Sequence, residues 1–208
     1  MIELSEERHE ALVELINICF GRAMASLAEL LESHIHLSVP VIRSVSPEEV
    51  IKALTASIEE KDEVTIVQQA FGGEFAGEAV LALPGWTSQS LVAMLTEQSG
   101  FTSDLEIDKL NLEVILEVGN IVIGACLGQF AELLESRISY SPPAVFLDRI
   151  TSAGLKERLT TREMGALLVQ TRFSHKEREV TGYLFFFLSQ FCLEGLFKAV
   201  DRFIEKMS

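Results

Sequence analysis

Residues 10–21 read Glu10-Ala-Leu-Val-Glu14-Leu-Ile-Asn17-Ile-Cys-Phe-Gly21, and residues 113–124 read Glu113-Val-Ile-Leu-Glu117-Val-Gly-Asn120-Ile-Val-Ile-Gly124. The second stretch repeats the first at a displacement of 103 positions in a chain of 208. The two Glu, the Asn and the Gly agree, and most residues between them differ. A proline follows each Asn by 23 positions, at Pro40 and Pro143. On an α-helix, at about 100° per residue, the two Glu and the Asn fall within roughly 60° of arc, and the Gly continues that face. Each half therefore presents two carboxylates, a carboxamide and a glycine notch in one line.

The flanks of the first copy support the helix. Ser5 is an N-cap candidate with Arg8 at N3, an incomplete capping box. Apolar residues Leu12, Leu15, Ile16, Cys19, Ala23, Leu27, Leu30 and Leu31 recur at three and four, predicting a helix over 6–34. Ile18 and Phe20 widen the apolar arc. The alternating, β-branched stretch from His34 to Arg43 reads as a strand with Pro40 at an edge or bend. Ser46-Pro47 opens a short helix to Ile58. Strands over 63–71 and 75–83 flank the hairpin signal Gly72-Gly73, and Thr87 or Ser88 caps a helix to Ser99, with Gly100 as its stop. A short polar linker covers 101–108.

The second half repeats the order. A helix over 108–136 precedes a strand over 139–147 containing Pro142-Pro143, a short helix over 152–159, strands over 165–174 and 179–188, and a helix over 189–206. Gly77 to Leu83 matches Gly182 to Leu188 at an offset of 105, close to the 103 of the helix motif. Near-equal offsets at opposite ends of each half indicate an internal duplication. The expected fold is α+β: one domain of two repeats, 1–100 and 108–208, related by a pseudo-twofold axis, with helices packed on an antiparallel or mixed sheet.

Composition narrows the function classes. The chain is 48% hydrophobic and carries a formal net charge of −14. Such acidity repels phosphodiester backbones and anionic lipid, which argues against nucleic-acid or membrane-surface binding. Cys19, Cys126 and Cys192 are odd in number and lie in apolar helical patterns, as buried reduced thiols of a cytoplasmic protein do. The start lacks a basic region followed by an apolar core. The unbroken apolar run Leu184–Leu188 is far below the ~18 residues of a membrane span, so a soluble protein is expected.

A Glu-Glu-Asn face is ordinarily a solvated surface. Yet Asn and Gly cost a helix up to ~1 kcal/mol each against Ala, and both copies retain them. At a usage of about one in twenty, matching four specified positions again has a chance of ~10⁻⁵ per register. The doubled motif, with both prolines in register, resembles the CheC/FliY/CheX family of response-regulator phosphatases, and CheC most in its length and its two copies. Two departures stand out. Glu10 and Glu113 occupy a position that is usually Asp or Ser, and Ile16 replaces the usual Gly kept at Gly119.

The resemblance implies a chemistry. The substrate would be the aspartyl phosphate of a CheY-like receiver domain, which holds its own Mg²⁺, so no cofactor is implied in this chain. Asn17 and Asn120 would each orient a water in line with the P–O bond, a task of positioning that a carboxamide performs without titrating. Glu14 and Glu117 would pair with the receiver's lysine. Glu10, Gly21, Glu113 and Gly124 would complete the contact, and Pro40 and Pro143 would shape the adjoining strand. A non-catalytic adaptor that binds a receiver domain or a CheD-type deamidase is the alternative, and either a monomer or a homodimer fits.

Other candidates are weaker. His34 and His36 alternate onto one strand face without a third ligand. The Phe185–Phe187 run reads as strand core. Gly72-Gly73 lacks the lysine of a phosphate loop.

Overall fold

Ser5 starts the first helix, α1 (Glu6–Leu30): its hydroxyl accepts the Arg8 amide at 3.4 Å. The computed structural model describes residues 5–38, 41–45, 49, 52, 63–96, 104–149, 166–175, 180–188 and 190–207. After α1 come β1 (Ile35–Leu37), β2 (Val41–Val45), β3 (Glu63–Gly73), β4 (Gly77–Pro84) and α2 (Gly85–Thr96). The second half supplies α3 (Asp104–Leu133), β5 (Ile138–Tyr140), β6 (Ala144–Arg149), β7 (Ala166–His175), β8 (Val180–Leu188) and α4 (Gln190–Met207). The architecture is α+β, as expected.

The two long helices end at Leu30 and Leu133, four and three residues earlier than expected, and both stop in the same way. Glu32 and Glu135 have φ near 48°, the left-handed conformation that usually selects Gly. The Ser33 amide bonds to the Ala28 carbonyl at 3.0 Å and the Ser136 amide to the Ala131 carbonyl at 2.9 Å. These are Schellman closures with glutamate in the glycine position, which is why no stop signal was visible.

Other boundaries move for identifiable reasons. Each expected strand through a proline is two short strands: β5 and β6 are separated by Ser141 to Pro143, and β1 and β2 are separated around Pro40, which lies outside the described residues. Gly72 and Gly73 belong to β3 instead of the turn; a Cβ on Gly73 would meet the Arg137 carbonyl oxygen at 2.1 Å, so the glycine makes room for β5. The turn is at Glu74 to Ala76, with Phe75 buried. Helix α2 begins before Thr87 and Ser88, which fasten it to the sheet instead of capping it. Thr87 Oγ1 donates to the Thr181 carbonyl at 2.9 Å, and Ser88 Oγ to Thr65 Oγ1 at 2.8 Å. Residues 104–108, expected as linker, are the first turn of α3. The short helices expected over 46–58 and 152–159, and Gly100, lie outside the described residues apart from positions 49 and 52.

The eight described strands form one antiparallel sheet in the order β1-β7-β8-β4-β3-β5, with β2 also on β7 and β6 also on β3. Each half's outer strands pair with the other half's hairpin. Leu37 faces Phe173 and Tyr140 faces Phe71; Gly77 faces Phe71 and Gly182 faces Phe173. Exchanging the halves thus reproduces the registers, and it matches Gly77 with Gly182, the correspondence visible in the sequence.

Helices α1 and α3 pack on each other and on one sheet face. Leu12, Leu15, Ile16, Cys19, Ile115, Val118, Val122 and Cys126 join Val67, Leu81, Leu184 and Phe186 in the core. By length and composition alone, both long helices could cross a membrane, with window hydropathies of 1.5 and 1.7. No unbroken apolar run marks them, because isolated polar residues interrupt both segments. Here 44% of each window is buried inside the protein.

Gly119 lets α3 sit tightly on β3: a Cβ there would meet Val67 Cγ1 at 2.5 Å. The C-terminal helix is clasped to α1 by Arg8, whose Nε and Nη2 donate to the two Asp201 oxygens at 2.8 and 2.7 Å, with its guanidinium over the Phe197 ring. The hydrogen bond from Arg8 holds the Asp201 carboxyl below its ordinary pKa of 3.8.

Two outcomes follow from these contacts. Gly119→Ala should cost about 1–2 kcal/mol, since overpacking against a β-branched residue outweighs the helix-propensity gain of up to ~1 kcal/mol; denaturant midpoints measure it. Asp201→Asn should cost about 0.5–1 kcal/mol at neutral pH, a figure discounted because both partners are over one-third exposed. A depressed carboxylate stabilises the fold above its unfolded pKa and ceases to as pH falls through the folded value. The difference between variant and wild type should therefore close below about pH 3.8, which parallel acid titrations of unfolding would check.

Candidate functional site

The repeated strips lie on the outer faces of α1 and α3. Glu10, Glu14, Glu113, Glu117 and Asn120 are exposed, and Asn17 is half-buried. The neighbouring apolar positions explain the orientation: Leu12, Leu15, Ile16 and Cys19 on α1, and Ile115, Val118, Val122 and Ile123 on α3, are buried and turn the strip outward. In each copy the Glu, Glu and Asn share one face, because both segments are uninterrupted α-helix. Among the described residues, none of these six polar side chains makes a hydrogen bond or ion pair. Their donors and acceptors are available to a partner.

The three glycines of the two motifs divide by what surrounds them. Gly119 is demanded by the sheet beneath it, as above. Gly21 and Gly124 are not: a Cβ at either would meet no atom within 4 Å. Among the described residues, nothing around them accounts for these two poor helix formers. Beyond the second motif, Gly128 is equally open. In the first copy the position of Gly119 is taken by buried Ile16, which lines an apolar cavity with Leu12, Phe71, Cys126, Leu127, Phe130 and Phe186.

Ile18 departs from the sequence reading. It follows Asn17, about 100° around the helix, and was expected to widen the buried arc; it is 39% exposed, while Phe20 is fully buried. The available signal was its recurrence at the same place in the second copy, Ile121, which is half-buried.

Pro143 lies in the break between β5 and β6. There the side chain of buried Gln69 replaces a strand contact, its Nε2 donating to the Ser141 carbonyl at 2.7 Å, and the Ser141 amide bonds to the Ala70 carbonyl at 2.9 Å. Sequence reading did not find this knot, since a lone Gln in a strand carries no signal. His34 and His36 are exposed, and among the described residues no cluster of three His, Cys, Asp or Glu side chains is placed to hold a metal ion. Cys19 and Cys126 are free and buried; burial, then the contact with Cys19, pushes the Cys126 thiol well above its ordinary pKa, so it is an inert core thiol.

No family model matches the chain. It is 26% identical over 204 residues to the CheY-P phosphatase CheC of Bacillus subtilis, covering 95% of each protein. It is 21% identical over 178 residues to the flagellar motor switch phosphatase FliY of the same organism, covering 86% of this chain and 45% of that protein. In three dimensions it superposes on Thermotoga maritima FliY with a TM-score of 0.73 at 20% identity, covering 97% and 99% of the two chains. The CheX of a Borrelia burgdorferi CheX-CheY-BeF3-Mg+2 complex gives a TM-score of 0.56 at 15% identity, covering 86% and 99%. In sequence along 95% of its length, and in fold, the chain is similar to the CheC/FliY/CheX family.

Proposed function

We propose that this protein is a phosphatase that hydrolyses the aspartyl phosphate of a CheY-like receiver domain at two pseudo-symmetric sites, one on α1 and one on α3. The observation that carries the reading is the duplicated Glu-x3-Glu-x2-Asn-x3-Gly strip, outward-facing and without partners among the described residues, on a chain similar to proteins named CheY-P phosphatase CheC and phosphatase FliY. A CheX of this fold in complex with CheY, beryllium fluoride and magnesium supports a receiver domain as partner.

In this reading Asn17 or Asn120 enters the receiver's phosphorylation site and holds a water opposite the scissile P–O bond. The water oxygen attacks phosphorus, the bond to the aspartyl oxygen breaks, and inorganic phosphate and a free carboxylate result. The gain is one of orientation and needs no side chain of this protein to change protonation. Glu14 and Glu117, one turn earlier on the same face, pair with the receiver's lysine and set the register. Glu10 and Glu113 extend the acidic edge, while Gly21 and Gly124 let the receiver's backbone come close. Pro40 and Pro143 shape the outer strands. The Mg²⁺ belongs to the receiver. The chain acts as one domain of two repeats, 1–100 and 108–208, in the cytoplasm.

Replacing both Asn17 and Asn120 by Ala should abolish phosphate release from a phosphorylated receiver while thermal unfolding stays cooperative; full activity in the double variant removes the mechanism. Sequestration of the phosphorylated receiver one to one, without phosphate release by the wild type, would instead favour an adaptor. Gly21→Ala with Gly124→Ala makes the opposite demand on stability and function. The open surroundings predict a gain of up to ~1 kcal/mol per site in helix stability. Each methyl would stand where the partner approaches, so KM should rise several-fold, as paired melting and steady-state assays would register.

A further inference from the structure

Each strip has a wall that the motif does not name. Ile18 lies three residues before Gly21 and Asn17 four before it, so on a helix both neighbour the glycine, and Ile18, four after Glu14, also adjoins the acid. With nothing within 4 Å of a Cβ at Gly21, the glycine floors an open notch, with an amide on one side and an exposed aliphatic side chain on the other. The spacing recurs with Gly124, Asn120 and Ile121, where the isoleucine is half-buried. Ile18 is one of four large apolar side chains exposed among the described residues, the others being Val41, Trp86 and Tyr140, and it alone adjoins the motif. A single exposed isoleucine is ordinary. An isoleucine at the same place beside both open glycines, exposed in one copy and half-buried in the other, asks for an occupant.

We propose that Ile18 and Ile121 are docking residues for the receiver domain, each forming the apolar wall of a notch that takes an aliphatic or aromatic side chain bordering the receiver's phosphorylation site. The proposal rests on the reading that a receiver domain docks at these strips. Its physical content is separate from that of Asn17 and Asn120. An aliphatic wall has no hydrogen bond to give the attacking water, so it acts on affinity. Desolvating it against an apolar side chain also excludes bulk water from the rim, which strengthens the neighbouring pair between Glu14 or Glu117 and a lysine. Continuity with the polar strip favours the receiver over a second copy of this chain as occupant.

The test is the double variant Ile18→Ser with Ile121→Ser, assayed with a CheY-like receiver from the same organism phosphorylated by acetyl phosphate. KM should rise about tenfold, the order expected for losing a buried interface anchor, with kcat within about twofold of wild type. The melting temperature of Ile18→Ser alone should stay near wild type, while the serine at half-buried Ile121 should lower it modestly with unfolding still cooperative, and Ile18→Val with Ile121→Val should restore most of the affinity. An unchanged KM overturns the proposal. So does a shift in oligomeric state by light scattering without a change in KM, which would assign the isoleucines to self-association. Should the wild type release no phosphate, the hydrolytic reading has failed by itself. Titration with the beryllofluoride-treated receiver still measures the notch, and equal affinities for wild type and the serine variant would then overturn it.

Discussion

The architecture depends on pairing between halves. Strand β3 finds β5 and β6 from the second half along its outer side, and β7 finds β1 and β2 from the first. A sheet edge left unpaired exposes a row of amides and carbonyls, so neither hairpin is complete until the other half has supplied its cover. The central contact between β4 and β8 joins the two hairpins into one sheet. Cutting the chain at its midpoint would separate each hairpin from its outer strands. In the sheet, therefore, neither hairpin takes its outer strands from its own half.

That interlocking fixes where the long helices go. Both must lie on the sheet face where Val67, Leu81, Leu184 and Phe186 await apolar partners, and each must also bury a flank against the other. A helix held on two sides has little arc left for solvent. The Glu, Glu, Asn and Gly occupy that arc in both copies, and among the described residues no internal hydrogen bond is spent on their side chains. Gly119 sharpens the contrast between structural and other glycines. It is required by Val67 beneath it, whereas Gly21 and Gly124 meet open space.

Much of this was legible in the chain, and the gaps have physical causes. The strip was readable because helical periodicity and repetition both act on residue identity at fixed spacing. The Gly77 and Gly182 correspondence was readable because both glycines hold one register position, opposite Phe71 and Phe173. The helix ends were not, since Glu32 and Glu135 adopt a conformation for which glutamate gives no sign. Thr87 and Ser88 look like caps in sequence, and only the sheet shows that their hydroxyls are spent on Thr181 and Thr65. Exposure of Ile18 was hidden for a related reason. Its place at the border of the apolar arc is decided by how closely α1 lies on its neighbours, a tertiary quantity that periodicity does not carry.

Charge bears on how such a surface would find its partner. With a net charge of −14, the chain gains no general attraction toward another acidic protein, and at physiological salt the Debye length of about 8 Å screens what field there is. Recognition of an acidic receiver, as proposed, would then come from contacts made after encounter. A carboxylate and a lysine at about 4 Å are worth roughly 1 kcal/mol in water and several-fold more once water is displaced. The displacement, more than the charge, sets the strength of the pair. A strip holding two acids, an amide, an open glycine and an aliphatic edge within one helical face combines the charged group with the apolar surface able to dry it. The same economy suits a transient partner, because a small contact area that depends on local drying releases as readily as it forms.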